Sequence, residues 1–331
     1  MKRRVSSLLA RWYAQGHRDL PWRRTTDPYP IWVSEIMLQQ TRAAAVVPYY
    51  RRFLERFPTV EALAVAGEAE VLALWSGLGY YSRARNLLGA ARQIAARGAF
   101  PRQYDELRQL AGVGDYTAAA VASIAFGARR AVLDGNVLRV VARMENDAGD
   151  IRSLKTRERF RAVAERWLDP RQPGAFNQAL MELGATVCLP RRPLCPQCPL
   201  RSQCQARQKG TADQLPVKLG AVRPERIEAV LLLVRRGQRI LLRQRPATER
   251  RMAGFWDLPG PEHLSGARAG TSIGQFRHTI THHHYTFTVK AARAPKRLPA
   301  GSLFQWLAPR EAGRIPLSTT ARKALRLAEL L

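Results

Sequence analysis

The chain has 331 residues, enough for two domains that each bury a core of their own. It carries 54 Lys and Arg against 26 Asp and Glu, a formal charge of +28, and only seven of the basic residues are Lys. Such an excess points to a polyanionic partner, most simply nucleic acid, and the arginines recur along the whole chain as a folded basic surface requires. No apolar run approaches the length of a bilayer span. The basic start, Met1 to Ala10, has too short an apolar stretch for a secretion signal, so a cytoplasmic, intracellular protein is expected.

Residues 5–15 predict a first helix, and Leu20 to Pro30 a loop rich in Pro and aromatics. Asp27 or Ser34 stands near the start of the next helix. Within it, Glu35 is set among Ile31, Val33, Ile36, Met37 and Leu38. A carboxylate in apolar surroundings has a raised pKa and can hold a proton near neutral pH, which is what a general acid needs. The plainer reading is a half-exposed Glu paired with an Arg. Gln39 and Gln40 are paired amides suited to base edges or to a solvated polar face. Residues 46–56 and 59–75 predict helices. Gly77-Leu78-Gly79-Tyr80-Tyr81 follows, with Arg83 and Arg85 after it. Two glycines bracket a Leu that reads as exposed. A flexible loop with apolar wedges beside cations suits entry into a base stack; the alternative is a loop that plugs the core with its aromatics.

Residues 80–97 and 102–109 predict helices that lead to Gly112-Val113-Gly114. Glycine takes positive φ readily, so this is a tight turn. Asp115 or Thr117 is expected to cap the Ala-rich helix that follows. The free N–H groups of a first helical turn bind anions such as phosphate. A second loop delivers Asp134 at the start of another helix. The stretch therefore offers a phosphate grip followed by a carboxylate, although an ordinary helical hairpin with an Asp cap has the same pattern. Further helices are predicted over 136–147, 155–168 and 174–187. Nothing in residues 1–187 alternates with period two, so this part is mainly α-helical.

All four cysteines fall in one loop: Cys188, Cys195, Cys198 and Cys204. Four thiols this close in an intracellular chain suit a metal centre better than disulfides. One pair is two residues apart, and the other spacings are longer, which fits a cubane iron–sulfur cluster, with zinc as the alternative. Residues 205–226 are polar with scattered Pro and read as a linker. Strand patterns then appear at 227–234, 239–245, 285–289 and 304–306, and 318–330 predicts a closing helix. This is an α+β domain.

These motifs resemble the helix–hairpin–helix DNA glycosylases. Leu110-Ala-Gly-Val-Gly114 looks like the hairpin, Asp134 matches the family's aspartate, and the four-Cys loop matches its 4Fe–4S subset. Ser34-Glu35-Ile-Met-Leu-Gln39-Gln40-Thr41, Gly77-Leu-Gly-Tyr80-Tyr81 and Leu133-Asp134-Gly-Asn136-Val resemble the adenine DNA glycosylase (MutY) family within it. The C-terminal part resembles that family's MutT-like module, with Gly254-Phe-Trp-Asp-Leu-Pro259 as an anchor. The resemblance implies a multidomain fold. A helical HhH-GPD glycosylase domain would cover 1–187 and the cluster loop 188–204. The linker would cover 205–226, and an α+β MutT-like (Nudix-fold) lesion-recognition domain 227–331.

It also implies a monofunctional glycosylase that removes adenine opposite 8-oxoguanine or guanine in double-stranded DNA, acting as a monomer without a membrane. Glu35 would protonate the adenine at N7 and Asp134 would stabilise the sugar cation, with Asn136 and Tyr116 orienting Asp134. Gln39, Gln40, Thr41, Leu78, Tyr80, Gly112 and Gly114 would contact DNA, and a 4Fe–4S cluster would sit on the four cysteines. Endonuclease III-like relatives place a nucleophilic Lys where this chain has Tyr116, and no Lys lies between Lys2 and Lys155. After Gly260 only Glu262 precedes Glu311, so the clustered acids of a working pyrophosphohydrolase are missing. The family's His-x-Phe-Ser-His lesion loop reads here as His278-Thr279-Ile280-Thr281-His282, with Thr281 and His282 as the lesion contacts and Ile280 in place of an aromatic. A metal-affine histidine run is the other reading of this stretch. The competing functions are an endonuclease III-like glycosylase of another base specificity and a non-catalytic DNA-binding iron–sulfur protein.

Overall fold

The computed structural model describes residues 2–220, 224–246, 248–249, 252–280, 282–299, 303–312 and 315–331. The chain forms two compact units: residues 1–64 with 89–221, and residues 65–88 with 222–331.

The first unit is helical. Its central helix, Pro28–Leu38, starts at Asp27, whose side chain accepts from Tyr29 N at 2.9 Å, and Pro28 fills the position where a missing N–H does no harm. Residues 31–37 are all buried, so this helix is core on every side. It packs against helix Asp115–Phe126, which packs in turn against helix Pro173–Thr186. The last pair meets closely: a Cβ on Gly174 would lie 2.7 Å from Ser123 O. The missing side chain of Gly174 makes that approach to Ser123 and Ile124 possible. Helix Gly135–Met144 lays a buried face on Pro173–Thr186 and on helix Leu154–Trp167. Phe160, Val163, Trp167, Leu180 and Leu183 fill the shared core.

Residues 205–220, read from sequence as linker, fold back on this unit. Helix Gln205–Gln208 buries Ala206, Leu215 is buried, and Ile151 N donates to Val217 O at 3.1 Å. Polar composition hid this because only a few apolar side chains anchor the segment, and backbone carbonyls such as those of Leu215 and Val217 hold the rest. The first turn of Asp115–Phe126 also differs from expectation. Gly114 is the cap residue and no side chain caps the helix. Asp115 points outward instead, to Arg108 at 2.8 Å and Arg161 at 3.1 Å.

The second unit is built on a sheet of β1 (Glu225–Arg236), β2 (Arg239–Gln244), β3 (Trp256–Asp257), β4 (Arg268–Ile280), β5 (His283–Arg293) and β6 (Leu303–Leu307). The order is β3-β2-β1-β5-β4, and β6 pairs with β2. β1 and β5 are parallel, with Ile227 beside Tyr285 and Val234 beside Ala292; β4 and β5 form an antiparallel hairpin. The closing helix Thr319–Leu327 covers one face with Ala321, Ala324 and Leu325. Segment 65–88 belongs here too: Tyr81 packs on Phe255 with ring centroids 4.0 Å apart, and Ser76 Oγ donates to Leu317 O at 2.7 Å. No helix among the described residues is long and apolar enough to cross a membrane.

Candidate active site

Glu35 is 3% exposed, so the half-exposed alternative is ruled out. Its Oε2 accepts a hydrogen bond of 2.5 Å from the Tyr116 hydroxyl, which also lies 3.2 Å from Met181 Sδ. Burial pushes the Glu35 carboxyl up to about 7. The Tyr116 hydroxyl opposes that rise by stabilising the charged form, and the negative charge of Asp134 adds to it. The result is an acid that still carries its proton over much of the neutral range.

Asp134 caps helix Gly135–Met144. Its Oδ1 accepts from Val137 N at 2.7 Å and its Oδ2 from Asn136 Nδ2 at 2.9 Å. Burial raises its pKa, and these donors to its charged form hold that rise back. Asn136 is thus bonded directly to Asp134. Tyr116 instead gives its hydrogen bond to Glu35, because the helix that carries it packs on Pro28–Leu38. Asn136 is itself held. Arg139 Nη2 donates to Asn136 Oδ1 at 2.9 Å and to Gly184 O at 2.7 Å, and Arg139 Nε donates to Cys188 O at 2.7 Å. Gly184 must be glycine for this, since a Cβ there would lie 2.6 Å from Asn136 Cβ.

A third carboxylate escaped the sequence reading. Glu182 is 1% exposed and is clasped by Arg18, through Nε at 2.9 Å and Nη2 at 2.7 Å, and by Arg23 Nη2 at 2.7 Å. Against the penalty of burial, these hydrogen bonds and charges hold Glu182 down to about 2. The charge of Arg23 also reaches Glu35 and lowers its pKa slightly. An acid within Ala-Leu-Met181-Glu182-Leu-Gly is the same kind of signal as Glu35, and it could have been found that way.

The hairpin turn has Gly112 at φ 73°, a left-handed conformation that favours glycine, and Gly114 extended at the cap. The first bond within the helix runs from Ala118 N to Gly114 O at 3.0 Å, so the N–H groups of the preceding turn point out of the helix end. Gln39 Nε2 donates to Thr117 Oγ1 at 3.2 Å, and Thr41 Oγ1 to Gln39 O at 3.3 Å. Gln40 is exposed on a left-handed backbone at φ 56°.

In the second unit, Tyr80 is 44% exposed with φ 50°. Leu78 is not an exposed wedge: it is 7% exposed. The glycines on either side let the backbone turn its side chain inward rather than out. Arg83 fixes that turn, donating to the carbonyls of Leu78 at 3.3 Å, Gly79 at 3.0 Å and Tyr80 at 3.4 Å. His282 is exposed, its ring 4.0 Å from that of His283, and Thr281 lies outside the described residues.

Cys188, Cys195, Cys198 and Cys204 are free and half-buried. Burial, with the charges of the other three cysteines, pushes the Cys198 thiol up to about 12. Among the described residues, no three His, Cys, Asp or Glu side chains converge as a single bound ion requires. Arg143, fully buried, ties the loop down. It donates to Leu189 O at 2.6 Å, Leu215 O at 3.0 Å, Pro190 O at 3.2 Å and Cys188 Sγ at 3.3 Å.

Two family models match the chain. Residues 33–167 match the HhH-GPD superfamily of base excision DNA repair proteins, and residues 229–327 match the NUDIX domain. The chain is 49% identical over 220 residues to the adenine DNA glycosylase of Homo sapiens, a match that covers 63% of this chain and 40% of the human protein. It is 35% identical over 398 residues to that of Rattus norvegicus, covering 97% of this chain and 77% of the rat protein. The chain thus spans less than half the length of some relatives it matches and most of others. A solved structure of a thermostable thymine-DNA glycosylase aligns with a TM-score of 0.58 at 31% identity, over 63% of this chain and 97% of that one. The helical fold, the Nudix-type sheet and these similarities agree: the chain belongs to the adenine DNA glycosylase family of the HhH-GPD superfamily.

Proposed function

We propose that the protein is a monofunctional adenine DNA glycosylase of base excision repair. It hydrolyses the N-glycosidic bond of adenine mispaired with 8-oxoguanine or guanine in double-stranded DNA. The observation that carries this is a pair of carboxylates with different environments: Glu35, buried and poised near 7, and Asp134, half-buried and fixed by Val137 N–H and Asn136. Environments that set two carboxyls apart assign the acid and the stabiliser.

Arginine side chains and the N–H groups at the start of helix Asp115–Phe126 hold backbone phosphates. Tyr80, with Gln40, Gln39 and Thr41, contacts the helix near the lesion, and the extruded adenine meets Glu35. Expelling a base costs a few kcal/mol, less at a mispair. Glu35 gives its proton to adenine N7, and the C–N bond breaks with its electron pair passing to the base. The sugar becomes an oxocarbenium-like cation, which the Asp134 carboxylate stabilises, in the manner of two-carboxylate glycoside chemistry. Tyr116 keeps Glu35 in place and tunes its proton affinity. Water completes the reaction, and an abasic site remains. Tyr116 occupies the place where a lyase needs an amine, so strand cleavage is left to alkali.

Cys188, Cys195, Cys198 and Cys204 hold a 4Fe–4S cluster in this reading. The donor set fits it. The four thiols stand half-buried in one loop. In a cubane each thiolate binds its own iron, so four of them match one cluster. These residues would hold the cluster, which would cross-link the loop that Arg143 already ties down. Thr281 and His282 read the 8-oxoguanine.

Single-turnover release of adenine from duplexes with A opposite 8-oxoguanine, G or T tests the function, with and without alkali. Fast release opposite 8-oxoguanine, with breaks only after alkali, is the expected result. No release from protein with its cluster intact would leave a DNA-binding iron–sulfur protein.

A further inference from the structure

Two loops of the second unit face the mispair in the proposed function: Gly77 to Tyr80, and the β4–β5 hairpin with His278 and His282. One helix touches the frames of both. Thr319–Leu327 starts at Ser318, whose hydroxyl accepts from Ala321 N at 2.9 Å and donates to buried Asp257 at 2.6 Å. Its start is also fixed to β3, since Ser318 N donates to Trp256 O at 2.9 Å. On the hairpin side, Lys323 Nζ donates to Arg277 O at 3.1 Å and lies 3.5 Å from His278 Nδ1. Leu327 sits so close to β4 that a Cβ on Gly274 would meet its methyl at 3.0 Å.

On the loop side, Arg322 Nη2 donates to Ser76 Oγ at 3.0 Å. Ser76, buried, donates its hydroxyl to Leu317 O at 2.7 Å, so this hydroxyl is held between Arg322 of the helix and the residues before it. Tyr81 Oη lies 3.3 Å from Thr319 Oγ1. Ser76 and Tyr81 flank the four residues of the loop, and Arg83 ties the carbonyls of Leu78, Gly79 and Tyr80 together. The loop is thus a stiff body whose two flanks are fastened to the helix that carries the hairpin.

We propose that helix Thr319–Leu327 couples the lesion-reading hairpin to the Tyr80 loop, with Arg322 and Ser76 as positioning residues. What the hairpin grips then sets where Tyr80 stands. The inference rests on the adenine-release reading for its direction. A guanine in place of 8-oxoguanine gives the hairpin less to hold, so the coupling is drawn on chiefly with the oxidised base.

The test uses the full chain with its cluster bound. Arg322→Met keeps the stem and removes the donor. It should lower the ratio of single-turnover rates opposite 8-oxoguanine and opposite G roughly tenfold, equivalent to about 1.4 kcal/mol. The rate opposite G should stay within about twofold, as expected where the lost hydrogen bond is not drawn on. Arg322→Lys should recover most of the ratio, which general loosening of the fold would not allow. Ser76→Ala should act in the same direction.

A binding cycle reads the coupling without catalysis. Tyr80→Ala and His282→Ala, on a duplex with an uncleavable abasic analogue opposite 8-oxoguanine, should be non-additive in the wild type and additive in the Arg322→Met background. Additivity already in the wild type, or an unchanged ratio in both Arg322→Met and Ser76→Ala, overturns the proposal. Absence of adenine release by the wild type on every duplex would instead overturn the functional reading, and the binding cycle would still decide the coupling.

Discussion

The surroundings of Glu35 and of Glu182 begin alike and end far apart. Each glutamate sits on an apolar helix of the helical unit, and each is almost fully buried. Burial raises both, yet one lies at about 7 and the other at about 2. The difference is the partners. Glu35 has a neutral phenol and a neighbouring carboxylate; Glu182 has two guanidinium groups. A buried carboxyl thus becomes an acid or an anchor by what reaches it, and an anchor cannot donate a proton at neutral pH.

The sharpest way to break this pairing is to take the proton away. Glu35→Gln should lower adenine release by on the order of a thousandfold, the middle of what a general acid contributes. Asp134→Asn should do as much, and both should leave DNA binding largely intact in a gel-shift measurement.

Stability should move in opposite senses at the two sites. The folded pKa of Glu35 is raised, so the unfolded chain releases its proton first. Stability is fully present below about 4.5 and is lost as pH climbs to about 7. Glu35→Gln should therefore stabilise the protein above pH 7 by about 3 kcal/mol and not at all in acid, read from denaturant unfolding. The folded pKa of Glu182 is depressed, so its contribution is present above about 4.5 and lost as pH falls to about 2. Glu182→Gln should destabilise at neutral pH by about 2–3 kcal/mol, since it strands two cations, one of them still partly solvated.

Much of this was legible in the sequence, and the failures share a cause. Glu35 stood out because its neighbours in the chain are apolar, and Asp134 because a helix start follows it. Glu182 had the first signal as well, but its meaning depends on Arg18 and Arg23, which come from the opposite end of the helical region. That Tyr116 bonds to Glu35 is hidden for the same reason: spacing locates a side chain on a helix but not the helix it faces. Leu78 read as exposed because glycines flank it, and glycines permit an inward turn as readily as an outward one. β4 was missed because its inward face over 274–280 reads Gly-Phe-His-Ile, where a Gly and a His break up the apolar side of the alternation. The attachment of residues 65–88 to the C-terminal sheet is long-range and leaves no local mark.

The smallest expected effect is also a fine adjustment of the same comparison. Tyr116→Phe removes the hydrogen bond that stabilises ionised Glu35, so its pKa should rise by about one unit. The measurement that tests the central claim most directly is the single-turnover rate of adenine release opposite 8-oxoguanine, followed from about pH 5 to about pH 9. With Glu35 as the acid, the rate falls about tenfold per unit above about pH 7, and in Tyr116→Phe that fall begins about one unit higher. A rate that stays flat to about pH 9, or rises with pH, would contradict the assignment of Glu35 as the proton donor.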